Sequence, residues 1–253
     1  MRSEDETVKV LAIICAYNEA DIIGWTVRHL RVQGCDVLVI DCASTDDTAW
    51  VAAAAGARIE AYGPPPVSWH ALLRRVEQIA AASDADWIIH CDADEIRYAT
   101  FGLRGPAAQT LAEGFGTVQI FGCNAVDHQV VTFHPTDNGY DGSQDPEEYF
   151  RYCSHDSLNQ RIGQVKAWRN VGAVDLATSG GHQVQFPGRH VYPVKWLSKH
   201  YPIRSQQHGE RKVFRERAWK DPAEGRTEWH VQYKGIEPGY RFLKDPKSVM
   251  EWK

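Results

Sequence analysis

The chain has 253 residues, of which 43% are hydrophobic and 24% are charged. This balance is typical of a globular domain that buries a sizeable core. The formal net charge of −5 excludes the basic surface with which nucleic-acid-binding proteins neutralise phosphates, so no nucleic acid is expected as a partner. The charge is unevenly divided, with a net −8 over residues 1–100 and a net +7 over residues 186–220. This division favours an anion held between the two halves.

The acidic N-terminal residues and the short apolar runs predict a cytoplasmic protein. The first ten residues are acidic where a targeting signal needs a basic start and an apolar core. No apolar run approaches the roughly 20 residues that a membrane-spanning helix requires, so no stable membrane insertion is expected. The six cysteines form no CxxC pair, and we expect them to be reduced. The sequence leaves the oligomeric state open.

Residues 1–100 alternate short apolar runs with longer amphipathic ones. This pattern is typical of βαβ units and predicts a mainly parallel central sheet flanked by helices. The predicted strands span 8–16, 36–41, 57–61 and 86–92, and the predicted helices run from a cap at Asn18 to Gly34, from a cap at Ser44 to about residue 55, and over the apolar positions 72–79.

The alternation fades beyond residue 100. Residues 117–131 have the pattern of a strand or hairpin, and the turn-rich residues 134–148 predict an exposed loop. Short strands are expected over 161–192, and a basic helix over 205–219. No internal repeat interrupts the chain, so one domain over 1–253 is expected.

Three of the predicted strands end near carboxylates or at a loop that caps a helix. Ligands of open α/β sheets bind outside the carboxyl ends of the strands, so these side chains are expected to converge there. Asp92 and Asp94 follow a buried strand, and alternation along an extended chain would put both on the same side. Two carboxylates so placed favour a divalent cation such as Mg²⁺ or Mn²⁺. The alternative is a solvated acidic turn.

Asp41 ends the second predicted strand and is a second candidate for ligand binding. A carboxylate at this position accepts hydrogen bonds from nucleotide hydroxyls in many α/β proteins, although it could equally cap the next helix. Tyr17 and Glu19 offer an aromatic face and a carboxylate at the same edge. The sequence contains neither GxGxxG nor GxxxxGK[ST] at this point, so neither a dinucleotide cradle nor a P-loop is supported.

These motifs together carry a family resemblance. Ala16-Tyr17-Asn18-Glu19, the run Asp41-Cys42-Ala43-Ser44-Thr45-Asp46-Asp47-Thr48, and Asp92-Ala93-Asp94 follow successive strands in the order that resembles the inverting family 2 glycosyltransferases of the GT-A fold. Residues 199–205 are similar to a segment in family members of this size. The chain departs from the family at Cys42 and Ala43, where an Asp and a Gly are usual, and a β-carbon at Ala43 is expected to alter that turn.

The resemblance implies an α/β, GT-A-like fold with a nucleotide-binding half over 8–100, an acceptor-binding half over 101–220 and a C-terminal tail over 221–253. It implies that the cofactor is Mn²⁺ or Mg²⁺ on the donor diphosphate. The implied nucleotide-sugar-binding residues are Ala16, Tyr17, Asn18, Glu19, Asp41, Asp92, Ala93, Arg204 and Arg211. The candidate metal ligands are Asp94, Asp92, His182 and His200.

Two further roles are assigned on chemical grounds. Arg204, Arg211 and Lys212 could close over the diphosphate and stabilise its charge, the alternative being a solvated helix face. An inverting transferase also needs a general base near the acceptor. Asp175 is the candidate for that base. Asp156 lies in the same stretch as Asp175, and Glu147 and Glu148 are outside candidates.

The sequence therefore predicts a metal-dependent glycosyltransferase that moves a sugar from a nucleotide-diphospho-sugar to a small-molecule or glycan acceptor. A sugar-1-phosphate nucleotidyltransferase is the first alternative, but it would need a Gly-rich, Arg-bearing loop after the first strand. A non-catalytic nucleotide-sugar-binding subunit is the second. A hydrolase that uses Asp92 and Asp94 is disfavoured, because glycosidases keep their two carboxyl groups about 5 Å or more apart.

Overall fold

The computed structural model describes residues 8–63, 67–99, 109–155, 163–216 and 235–252. The strands are β1 (Val10–Ala16), β2 (Cys35–Asp41), β3 (Arg58–Ala61), β4 (Trp87–Asp92), β5 (Glu95–Tyr98), β6 (Ala125–His134), β7 (Tyr152–Cys153), β8 (Gln164–Arg169), β9 (Trp196–His200) and β10 (Met250–Glu251). The helices are α1 (Ile23–Val32), α2 (Thr48–Ala54), α3 (Trp69–Ala82), α4 (Leu111–Ile120), α5 (Pro146–Tyr149) and α6 (Gln206–Phe214).

A mixed sheet organises these elements in the order β10-β7-β6-β8-β4-β1-β2-β3. Its centre is parallel, because β1 lies between β2 and β4, and β2 continues to β3. Strand β8 pairs antiparallel with β4 and with β6, and the pairs of β6 with β7 and of β7 with β10 are antiparallel as well. Strand β9 pairs antiparallel with β5 and parallel with β6. The predicted α/β fold, with a central parallel sheet flanked by helices, is confirmed.

The parallel strands are buried on both faces, which explains their continuous apolar sequence. Ile13 and Ile14 are neighbours on β1 but belong to different clusters, since successive strand residues point to opposite faces. Ile14 packs with Val27 of α1 and Phe115 of α4, and Ile13 packs with Leu72 of α3. Helices on both faces thus fix the sheet and leave the carboxyl ends of its strands as an edge.

The first two helices begin later than predicted. α1 starts at Ile23, and Asn18 has a φ of 55°, so it turns the chain instead of capping the helix. α2 starts at Thr48 without a side-chain cap from its N-cap residue. The Ser44 hydroxyl, predicted to cap α2, accepts the N–H of Asn18 at 3.0 Å. Both capping predictions were wrong because these polar groups join the two loops to each other.

Two predictions for the second half of the chain were right in part. The strand or hairpin expected over 117–131 is a strand from Ala125 onward, as part of β6, but residues 117–120 belong to α4, which Thr110 and Glu113 start with a capping box. The loop expected over 134–148 is irregular up to α5 and only partly exposed. Its Tyr140 is buried, lies 4.8 Å from Phe150 between ring centroids, and donates its hydroxyl to the Asp21 carbonyl at 3.0 Å.

All six cysteines are free, as predicted. In the parts of the chain that the structure describes, no helix is both long and apolar enough to cross a membrane.

Two glycines of α4 provide a matched test of its packing. A β-carbon on Gly114 would lie 2.7 Å from the Ala99 Cβ and 2.9 Å from the Trp196 ring, whereas one on Gly116 would lie 3.8 Å from Val8. We expect Gly114→Ala to lower the free energy of unfolding by about 1–3 kcal/mol through overpacking. Gly116→Ala should raise it by up to ~1 kcal/mol through helix propensity. Urea denaturation measures both, and a similar gain in stability for the two variants would contradict the packing of α4 against β9.

Candidate active site

The carboxyl ends of β1, β2 and β4 meet at one edge of the sheet. The register places Ala16 beside Asp41 and Cys15 beside Asp92. β5 follows β4 after the two-residue turn Ala93-Asp94. Helix α6 reaches this edge through the contact of Lys212 with Asp94. The sequence-predicted motifs therefore converge as expected for a ligand crevice of an α/β sheet.

Asp94 lies at the centre of the polar contacts at this edge. Its side chain is 6% exposed, and its Oδ2 accepts a hydrogen bond from the Lys212 Nζ at 3.0 Å. The same ammonium group donates to Glu19 Oε1 at 3.0 Å. On the other side, Asp94 Oδ1 lies 3.5 Å from the His200 Nε2 of β9. Asp94 is thus held between a lysine of α6 and a histidine of the sheet.

Arg204 connects the loop after β1 to the segment that leads into α6. Its guanidinium is fully buried and bonds both carboxylate oxygens of Asp21 at 2.7 Å. The same group donates to Glu19 at 2.5 Å and to the Tyr201 carbonyl at 3.1 Å. A planar guanidinium with this many hydrogen-bond partners is held in one orientation. Arg204 therefore orients Glu19 and anchors the start of α6.

A second lysine pairs with the other carboxylate of the motif. Lys166 of β8 is 1% exposed, and its Nζ lies 2.9 Å from Asp92 Oδ2 and 3.2 Å from Glu95 Oε1. Glu95 in turn accepts from Arg97 at 2.5 Å. Asp92 and Asp94 each pair with a lysine of their own, and β4 ends at Asp92, so Asp94 lies in the turn that follows and not in the same strand.

The loop after β2 lies at the same edge, next to the loop after β1. Asp41 Oδ2 accepts the Ser44 N–H at 3.1 Å, whereas Asp41 Oδ1 is buried and has no hydrogen-bond partner among the residues that the structure describes. Ala43 has a φ of 57°, the left-handed region that glycine occupies without strain. The alanine thus keeps the turn that a glycine would favour. The turn stays closed because Asn18 Oδ1 accepts the Thr45 N–H at 2.8 Å.

The cations at this edge keep the carboxylates ionised. Burial alone would raise the pKa of the Asp94 carboxyl, but Lys212 and His200 hold it well below its usual range. Burial opposes ionisation of Asp92 as well, and Lys166 outweighs it to lower that pKa. The His200 imidazole is pushed toward its neutral form by burial, yet Asp94 prevails and raises its pKa. These carboxylates can accept a cation without first losing a proton.

The residues present fit a divalent ion of the kind that takes one or two carboxylates and leaves its other positions to substrate phosphates. Asp94 and His200 are the candidate ligands that lie together, with Asp92 drawn toward Lys166. Within the described ranges, no group of three or more His, Cys, Asp or Glu side chains is arranged to hold a metal. Binding at Asp94 and His200 would therefore depend on oxygens that a ligand supplies.

The four other residues predicted to bind the nucleotide-sugar differ in their contacts at this edge. Arg211 is partly exposed and donates to the Asn18 carbonyl at 3.3 Å, so it does lie over the edge. Tyr17 is half-buried and packs against the core on the α3 side of the sheet. The Ala93 side chain points into the core, and its carbonyl accepts the Thr26 hydroxyl at 2.6 Å. The Ala16 carbonyl accepts the Cys42 N–H at 2.9 Å.

Arg204 has other partners than the diphosphate predicted for it. Its hydrogen bonds are directed to carboxylates and to a backbone carbonyl, and none of its surface is exposed. Of the two other basic residues predicted to close over the diphosphate, Lys212 is 20% exposed and Arg211 is 40% exposed. Helix α6 covers the edge with Arg211 and Lys212, whereas Arg204, which precedes the helix, is paired within the protein.

The other candidates lie apart from Asp94 in their contacts. Asp175 accepts the Thr178 N–H at 3.1 Å and lies 3.5 Å from Arg74 of α3, so its carboxylate serves a local turn. His182 is exposed, and the charges of Lys166 and Asp92 act on it.

The alternative bases are in three different situations. Glu147 pairs with Lys199 and with the Tyr98 hydroxyl. Glu148 is exposed. Asp156 lies outside the described residues.

Sequence reasoning missed the partners that complete the network. Lys166, Glu95 and Asp21 were not predicted as site residues, although each carries a charge that the site uses. Lys166 gave a usable signal, because it is a lysine between apolar neighbours in the strand Gln164–Arg169. A buried lysine in a strand requires a carboxylate partner. Asp21 gave no such signal, since it lies in a polar loop.

Comparisons with known proteins give partial similarities. No family model matches the chain, and no curated protein matches it. Mannosyl-3-phosphoglycerate synthase from Rubrobacter xylanophilus is similar over 52% of this chain and 43% of its own, with 26% identity and a TM-score of 0.34. Glucosyl-3-phosphoglycerate synthase from Mycobacterium tuberculosis, solved with Mn²⁺, UDP and glucosyl-3-phosphoglycerate, is similar over 50% and 44%, with 22% identity and a TM-score of 0.33. The chain spans less than half the length of these proteins.

Removal of Arg204 tests whether it holds the site together. We expect Arg204→Met to lower the free energy of unfolding by about 3 kcal/mol or more, because Glu19 and Asp21 would be left buried beside an apolar side chain. Arg31→Met is the matched control, since its ion pair with Asp36 is exposed and worth less than about 1 kcal/mol. Guanidinium denaturation compares them. Equal losses in the two variants would contradict a structural role for Arg204.

Proposed function

We propose that this chain is a metal-dependent glycosyltransferase that uses a nucleotide-diphospho-sugar donor and acts on a small-molecule or glycan acceptor. One observation carries the proposal. The ionised, buried Asp94 lies beside His200 and under the basic helix α6, at the carboxyl edge of a parallel sheet. This arrangement provides a cation-binding carboxylate and basic groups at the edge where α/β sheets bind ligands.

The nucleoside would be held by the loops after β1 and β2. The buried Asp41 Oδ1 has no hydrogen-bond partner within the described part of the chain, and such an atom is costly to leave unpaired. A ribose hydroxyl or a base N–H would satisfy it. Tyr17, half-buried at the same edge, offers an aromatic face for the base.

The divalent cation, Mn²⁺ or Mg²⁺, would be held by Asp94 and His200, with Asp92 beside them. When bound, it would neutralise charge that develops on the leaving diphosphate. Arg211 is exposed enough to approach that diphosphate. His200 would have to bind as the neutral imidazole, and because Asp94 raises the pKa of that imidazole, the metal has to compete with a proton for it.

The sugar transfer itself would be a direct displacement that inverts the anomeric carbon. The acceptor oxygen forms the new bond to that carbon as the bond to the diphosphate oxygen breaks, and a general base takes the acceptor proton. Asp175 remains our prediction for this base. To act, its carboxylate would have to leave the Thr178 N–H and Arg74.

Thermal melting with nucleoside diphosphates tests the proposal. We expect at least one of UDP, GDP and dTDP to raise the melting temperature by about 5 °C at a hundredfold excess over its dissociation constant, and only with Mn²⁺ present. Asp94→Asn should abolish the metal-dependent part of the shift, measured against the variant's own melting temperature.

Asp84→Asn is the matched control, because that carboxylate is exposed and pairs only with Lys9 among its described ion pairs. It should keep the full shift. The assignment would be refuted if none of the three nucleotides stabilised the protein in the presence of Mn²⁺, or if Asp94→Asn kept the full shift in melting temperature.

A further inference from the structure

Among the described cations that neutralise the carboxylates of the candidate site, Arg204, Lys166 and Lys212 differ in their freedom to move. Arg204 is fully buried and makes hydrogen bonds to two carboxylates and a carbonyl. Lys166 is 1% exposed between Asp92 and Glu95. Lys212 is 20% exposed and reaches the site through a flexible side chain from α6. Of the three, Lys212 is the cation whose charge can move without unpacking the core.

His200 faces one carboxylate oxygen of Asp94, and the Lys212 ammonium lies on the other. It lies 3.0 Å from Asp94 Oδ2 and 3.0 Å from Glu19 Oε1, so these two oxygens are bridged by one positive charge. A divalent ion on Asp94 would lie within a few ångströms of this ammonium, and the two cations would repel each other. Lys212 and the metal therefore compete for Asp94.

The surrounding charges indicate where Lys212 would go. Glu19 and Asp21 are hydrogen-bonded to Arg204, whereas the Arg204 guanidinium lies 3.9 Å from Asp94 Oδ2, so the shortest of the described cation contacts of Asp94 is the one with Lys212. A nucleoside diphosphate that arrives with the metal brings new negative charge to the same edge. The ammonium could then exchange a carboxylate for a phosphate oxygen by rotation of its side chain.

We propose that Lys212 is an exchangeable counter-cation, which holds Asp94 in the donor-free protein and transfers to the donor diphosphate when the metal takes Asp94. This inference rests on the proposed function and deepens it. Its consequence is coupled binding. Metal alone has to displace Lys212 without providing it with a new anion, whereas metal and nucleoside diphosphate together provide one.

Titration with Mn²⁺, monitored by the electron paramagnetic resonance of the free ion, tests the coupling on the intact chain. Without nucleotide, we expect Lys212→Met to bind Mn²⁺ at least tenfold more tightly than the unmodified protein. The double variant Lys212→Met, Asp94→Asn should lose this gain. With UDP, GDP or dTDP present, the unmodified protein should gain at least tenfold in Mn²⁺ affinity, and Lys212→Met should gain less.

Two further variants separate the loss of this particular charge from a loss of structure. Lys212→Arg keeps a cation at the position and should bind free Mn²⁺ as weakly as the unmodified protein. Lys195→Met removes a lysine that pairs with Asp127 instead, and should behave likewise. If Lys212→Met does not fold, Lys212→Gln, which removes the charge but keeps a polar side chain, is titrated in its place with the same expected results.

The outcomes distinguish this inference from the proposed function. The exchange is overturned if Lys212→Met and the unmodified protein have the same Mn²⁺ affinity, or if a nucleotide binds without altering that affinity. Either result leaves the proposed function standing. Failure of every nucleoside diphosphate to bind overturns the proposed function and with it the transfer of Lys212 to a diphosphate.

Discussion

The buried ion pairs of Arg204 are the constraint on which the candidate site depends. Burial of a guanidinium is unfavourable unless its donors are paired, and here the loop after β1 supplies Glu19 and Asp21 to pair them. These bonds fix the loop to the segment before α6, and they bring Lys212 of that helix to Asp94. The parallel sheet supplies the edge, but the ion network decides which groups meet there.

The parts of the molecule that follow from local pattern were predictable from sequence. Apolar runs located the parallel strands, and the carboxylates that end them placed Asp41, Asp92 and Asp94 at one edge. His200 was found through the segment 199–205, and it does contact Asp94. The basic character of α6 likewise indicated a helix that covers this edge.

The parts that failed depend on contacts between distant segments. Asn18 has the sequence context of a helix cap, yet its side chain closes the loop after β2, 27 residues away. The apolar run that begins at Thr117 suits a strand as well as a helix, and the capping box of α4 decides between them. Asp92 and Asp94 have different lysine partners because the turn after β4 breaks the alternation that would have aligned the two carboxylates. Pairings of this kind are set by tertiary structure, which no local period encodes.

The central claim is that Asp94 and His200 form a cation site that opens only when a nucleoside diphosphate replaces Lys212 as partner. The most direct measurement is a crystal structure with Mn²⁺ and the best-binding nucleoside diphosphate, with diffraction data collected at the manganese absorption edge. The account predicts an anomalous peak between Asp94, His200 and the phosphates, with the Lys212 ammonium on a phosphate oxygen. A manganese peak elsewhere, with Lys212 still between Asp94 and Glu19, would contradict it.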